Sequence, residues 1–280
     1  MSESLVPTSA VDRPSDLTLA WLRVRAIARR HAYVLRRSPH RLFDVTVWPL
    51  VDVLLFGSLG VFVSRHGGAG TIAFGYLLSG IVLWHVVYQS QIALSTGLLE
   101  ETWSRNLLNL MVTPLKELEY VLGVVLFGMV KLAIGVGVVA LTALGFYAFN
   151  VSKLGWELIP VAAVLLTVGW VIALFVIGIV LRFGSGAEAL AWGILFIVMP
   201  LSGVFYPVKA LPGVLRPLAL ALPTTHAFAA GRALLVHHGL EWGQVGIAAA
   251  STLGLLVASM AFVAKMLSLF RKRGYVTRYS

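Results

Sequence analysis

The chain has 280 residues, 59% of them hydrophobic and only 12% charged, with a mean hydropathy of +0.89. That composition excludes a water-soluble domain, and the lack of cysteine excludes disulfides and thiolate metal sites. The net charge of +10 invites a nucleic-acid reading only if the basic residues cluster outside membrane flanks.

Residues 1–43 are polar and basic, without the apolar core of a signal peptide, so no cleaved leader is expected. Ser15-Asp16 is a plausible N-cap for a helix from about Leu17 to Leu35. Trp21, Val24, Ile27, Ala28 and Leu35 can form one apolar face, while Arg23, Arg30 and Arg37 recur every seven residues along a basic one. Such a helix lies in the membrane interface and is drawn to anionic lipid. Ser38-Pro39 ends it.

Six apolar stretches follow that are long enough to cross a bilayer as helices: about 45–63, 72–97, 120–149, 158–181, 187–206 and 245–269. They are continuous rather than alternating, which favours helices over a barrel. The expected class is therefore an all-α polytopic membrane protein. Its parts are a cytoplasmic region 1–43, a transmembrane domain 44–270 and a basic tail 271–280.

Ionisable residues inside spans are costly and mark pairing or function. Asp52 lies about two turns into the first span and Lys131 about twelve residues into the third. An Asp52–Lys131 pair is expected, either as a neutralising strut or with Lys131 on the path of an anionic headgroup. His85, near the middle of the second span beside Trp84, Tyr88 and Gln89, reads more readily as a packing residue than as a proton relay.

Between the second and third spans, residues 98–118 form a polar break, best read as a short helix along the cytoplasmic face. Glu101 and Arg105 stand at i,i+4 and can pair. Trp103, Leu107, Leu110 and Met111 share an apolar side, and Glu100, Arg105, Asn106 and Asn109 lie largely elsewhere, open to a soluble partner. A plain interfacial connector anchored by Trp103 explains the same pattern. Thr113-Pro114 stops the helix.

Gly123, Gly128, Gly135 and Gly137 permit close helix approach in the third span. Arg182 and Glu188 flank a Gly-Ser-Gly turn. Pro200, Pro207, Pro212, Pro217 and Pro223 break the external segment 200–232 into short pieces, where Phe205 and Tyr206 are candidates for an external gate or an interfacial anchor. His237-His238 lacks the further ligands a metal site needs, and no nucleophile–base constellation stands out.

Charge placement sets the topology. Sixteen basic residues fall on the side of the two termini and only five on the other, with Lys131 inside a span. The positive-inside bias puts both termini in the cytoplasm. The excess charge is topogenic, and no nucleic-acid partner is expected.

The stretches LEETWSRNLLNLMVTPLKELEY (99–120) and PLSGVFYPVKALPGVLRPLALALPTTHAFAAGR (200–232), in this order between six spans, resemble the permease of type-2 ATP-binding-cassette exporters. The resemblance covers about the whole chain. It implies that residues 98–118 are the coupling region touching a nucleotide-binding subunit, through Glu100, Glu101, Trp103, Arg105 and Asn106, with the N-terminal helix bracing it. It implies a short external helical element before the last span. The chain carries no G-x-x-x-x-G-K-[ST] phosphate cradle. ATP and Mg are therefore expected on a separately encoded ATPase, present in two copies beside a permease homodimer, or a pair with a related permease, in the bacterial cytoplasmic membrane, with an amphiphilic drug, lipid or glycan-lipid as substrate. Two other readings stay open: a proton-coupled carrier centred on Asp52, His85 and Lys131, and a scaffold that only docks a soluble partner.

Overall fold

A computed structural model describes residues 16–66, 70–103, 113, 115–187, 189–234 and 239–272. Among them all regular structure is helical. The amphipathic α1 (Asp16–Arg37) buries Val24, Ile27, His31 and Leu35, a stripe at three- and four-residue spacing. Ser38 then breaks the chain, and its carbonyl accepts from the Arg41 and Leu42 amides as Pro39 opens α2 (Pro39–His66). Proline suits a first helical position because its missing N–H would have had no partner there.

The centre of the bundle is α3 (Gly70–Trp103), flanked by α2, α4 (Glu117–Tyr147) and α5 (Leu158–Phe183), with α9 (Trp242–Lys272) outside α5. In its spanning window 94% of α3 is buried, against 17–56% for the other four long helices. That window also has the lowest hydropathy of the five. The two facts have one cause: Ser79, His85, Gln89, Ser90, Gln91 and Ser95 are all buried, and polar groups at this depth must face protein rather than lipid. The Ser90 and Ser95 hydroxyls donate to the carbonyls of Val86 and Gln91 one turn back, at 2.7 and 2.9 Å, so they cost little. Gly169 of α5 lets α3 approach closely, since a Cβ there would lie 1.8 Å from the Ser90 hydroxyl. At its far end α4 is closed by Ala148, which has φ 53° and donates its amide to Leu144 O, with Phe149 N bonding Ala143 O.

Among the described residues five helices are long and apolar enough to span a membrane: 39–66, 74–97, 118–147, 158–183 and 242–269. The expected span over 187–206 is helical only as α6 (Ala189–Leu201). Thirteen residues rise about 20 Å, short of the roughly 30 Å of hydrocarbon. The helix stops because Gly203 turns the backbone to φ 65° and Pro207 follows. The chain continues as a 3-10 turn (Val208–Ala210), α7 (Arg216–Ala221) and α8 (Pro223–Ala233), which packs on α9, α5 and α3.

Candidate functional site: a polar seam between two closures

Three groups of side chains line up along α2 and α3. The first lies where both helices approach the polar break. Arg41 at the start of α2 donates to Glu100 in the last turn of α3 at 2.8 Å, and His31 of α1 stands 4.0 Å from the same carboxylate. His31 is held by stacking on Phe127 of α4, ring centroids 5.5 Å apart. Arg23 of α1 reaches Glu119 of α4 at 2.9 Å, and Glu119 also accepts from the Lys116 amide at 3.0 Å, capping α4. The Tyr120 hydroxyl donates to Gly97 O, tying the α4 start to α3. Both ends of the break are thus ion-paired to the N-terminal region.

The second group is at mid-bundle. Asp52 is the fourteenth of the 28 residues of α2, and His85 sits at the middle of α3. His85 Nε2 lies 3.8 Å from Asp52 Oδ2, beyond hydrogen-bond range. Gln89, one turn along α3 from His85, is equally buried and rests on Gly135 of α4, where an added Cβ would meet its Nε2 at 2.9 Å. Asp52 marks the edge of α2: Val53 and Gly57 are buried on one side, Val51 and Leu55 exposed on the other.

The third group lies one turn further along α2 from Asp52. Phe56, one turn beyond Asp52 on α2, stacks on Phe205 with centroids 4.0 Å apart and planes at 10°. The Phe205 loop is stitched down on both sides. Ser202 and Thr224 share a hydrogen bond of 2.6 Å, and Tyr206 donates to Pro200 O at 2.9 Å. Arg232 of α8 donates to the Gly203 carbonyl and lays its guanidinium 4.5 Å over the Tyr76 ring of α3. Burial lowers the Arg232 pKa from its ordinary value, and the nearby Tyr76 opposes that shift.

The expected Asp52–Lys131 pair does not form. Lys131 is within electrostatic reach of Glu100, Arg41 and Asp44, and Asp52 has His85 as its close ionisable neighbour. Asp44 and Asp52 are eight residues apart, about 12 Å along a helix axis, so Lys131 feels the charges nearer the polar break rather than Asp52. Of the coupling residues, Glu100 turns inward to Arg41 and His31 rather than standing open. Glu101 and Trp103 close α3, and Arg105, Asn106, Glu188 and His237-His238 lie outside the described residues. Phe205 and Tyr206 both lie in the pinned loop after α6. Arg23, Arg41 and Glu119 were hidden by their ordinary appearance as topogenic charge and helix-start acid, and only a partner count across the break could have found them.

The model of the ABC-2 type transporter family matches residues 20–236, which include all three groups. No curated protein matches the chain.

Proposed function

The chain belongs to the ABC-2 type transporter family and is a multi-pass membrane permease component; on that premise we propose that it exports an amphiphile, driven by a separate ATPase. The family match over residues 20–236 carries this reading. The ATPase, in two copies, docks on residues 98–118 of each permease in a homodimer. Glu101, Trp103, Arg105 and Asn106 meet it, and Glu100 holds the break to α1 and α2. ATP and Mg bind the ATPase, and this chain performs no catalysis. The membrane is the bacterial cytoplasmic one, with both termini inside, as the distribution of basic residues favours.

Work on the break has a physical route into the bundle. The break joins α3 to α4, and the Arg41–Glu100 and Arg23–Glu119 pairs add α2 and α1 to the moving unit. Displacement of α2 against α3 changes the Asp52–His85 gap and also shifts Phe56 against Phe205, whose loop is tied to α3 through Arg232 and Tyr76. Such a shift needs contacts that differ between the ATP-bound and free states, and the break supplies them. The drug, lipid or glycan-lipid enters a mostly apolar lateral cavity and leaves past Phe205 and Tyr206.

The test is co-purification and coupling. The chain should bring down its ATPase at one copy per permease, and Arg105→Glu should leave insertion and ATP hydrolysis intact while transport falls at least tenfold. Full transport by R105E overturns the docking assignment. The proximity of His85 to Asp52 favours one rival, a proton-coupled carrier, which would transport on a pH gradient with no ATPase present.

A further inference from the structure

The mid-bundle group has an unmet hydrogen-bonding requirement. His85 Nδ1 lies 3.3 Å from the Ile81 carbonyl oxygen, which can only accept, so Nδ1 carries the hydrogen. In a neutral imidazole Nε2 then presents a lone pair. Among the described residues it has no hydrogen-bond partner, and it faces a carboxyl oxygen 3.8 Å away that, when ionised, also offers only lone pairs. With Asp52 ionised, two acceptors therefore face each other across a gap to which no described side chain donates. His85 is 1% exposed, whereas the Asp52 side chain keeps 38% of its surface accessible, so a donor reaches the gap only from the Asp52 side.

We propose that Asp52, His85 and Gln89 form a mid-membrane site for the primary or secondary ammonium group of an amine-bearing amphiphile. The proposal deepens the permease reading and rests on it for the idea that the ligand is cargo. An ammonium nitrogen about 2.9 Å from each acceptor fits over a 3.8 Å gap and donates to both. The positive charge answers the Asp52 carboxylate, which on the edge of an apolar helix is otherwise uncompensated. Tyr88, its ring centroid 5.9 Å from that of His85, adds an aromatic wall beside the cation. The Gln89 carboxamide, 1% exposed and with its Nε2 unpartnered, supplies an adjustable polar contact to a neighbouring hydroxyl or carbonyl on the ligand. The exposed flank of α2 (Val51, Leu55 and Leu59) receives the alkyl or ring portion. The stacked Phe56 and Phe205 lie one turn outward, where they block exit until the outer closure opens.

The experiment uses the full chain in phosphatidylcholine nanodiscs, with neither ATPase nor ATP, and radiolabelled decylammonium as probe. The expected result is saturable binding above membrane partitioning, weakened at least tenfold by Asp52→Asn and several-fold by His85→Phe. Decyltrimethylammonium, which has the charge but no N–H, should bind at least tenfold more weakly than decylammonium to the unaltered chain. Decanol should only partition. Equal saturable binding by D52N, by decyltrimethylammonium or by decanol overturns the proposal, and so does a lack of saturable decylammonium binding. A nitrogen-15 spectrum assigned by loss of signal in His85→Gln should show neutral, Nδ1-protonated His85 without probe. An imidazolium there means a proton already fills the gap, which also overturns it. Binding is read without nucleotide, so its failure leaves ATP-driven transport standing, and a failure of ATP-driven transport leaves the site standing.

Discussion

Gly80 is the point at which the outer closure is most exposed to a minimal perturbation. A Cβ at this position would lie 2.1 Å from the Val204 carbonyl oxygen. Ordinary contact requires about 3.4 Å or more, so Gly80→Ala forces more than 1 Å of separation. The atom in the way is backbone and cannot rotate aside. Val204 adjoins Phe205, and the loop is pinned at Ser202 and at Gly203 by Thr224 and Arg232, so the displacement falls on the Phe56–Phe205 stack. Overpacking of this kind costs about 1–3 kcal/mol, small enough for the protein to remain assembled. The assay is crosslinking between cysteines introduced at 56 and 205, read beside transport in proteoliposomes. G80A should slow crosslinking at least fivefold and produce leak of the exported amphiphile without ATP. Gly75→Ala, in the same helix, is the control, because nothing lies within 4 Å of its added Cβ. Crosslinking and leak unchanged in G80A would refute the assignment of Phe205 to a closure held against α3.

The remaining expectations concern the frame around that path. Arg41→Glu should lose about 1–2 kcal/mol and transport while ATP hydrolysis continues, and the exchange R41E/E100R should restore transport, as read by the two rates in the same vesicles. Thr224→Val removes one partner of a buried 2.6 Å bond, but Ser202 still donates to Val198 O at 2.7 Å, so thermal unfolding in detergent should report a loss of only about 1 kcal/mol. Ala148→Gly should stabilise by about 1 kcal/mol in the same measurement, because φ 53° is strained for a residue with a Cβ.

The helical class and five spans were legible because long apolar runs permit little else at membrane depth. The end of the sixth segment at Leu201 was not, since hydropathy counts residues and is blind to a backbone reversal at Gly203. Asp52 and His85 stood out as ionisable groups in apolar runs, yet their pairing depended on which faces of α2 and α3 meet, which a sequence without regular repeats does not fix. Lys131 was assigned to Asp52 by depth alone, and its long side chain instead feels Glu100 and Asp44, the charges nearer the break. Arg23, Arg41 and Glu119 looked like ordinary flank charges until the fold placed them opposite one another.

On the proposed function, this polypeptide makes no use of nucleotide or proton gradient by itself and moves its cargo when an attached ATPase works on residues 98–118. Proteoliposomes holding the chain and that ATPase, with pH equal on both faces, decide the matter through a fluorescent amphiphile. Accumulation that needs ATP and the ATPase, and that an imposed pH gradient cannot replace, is the predicted result. Accumulation by the chain alone on a pH gradient, or none under any condition with an ATPase bound, would contradict it.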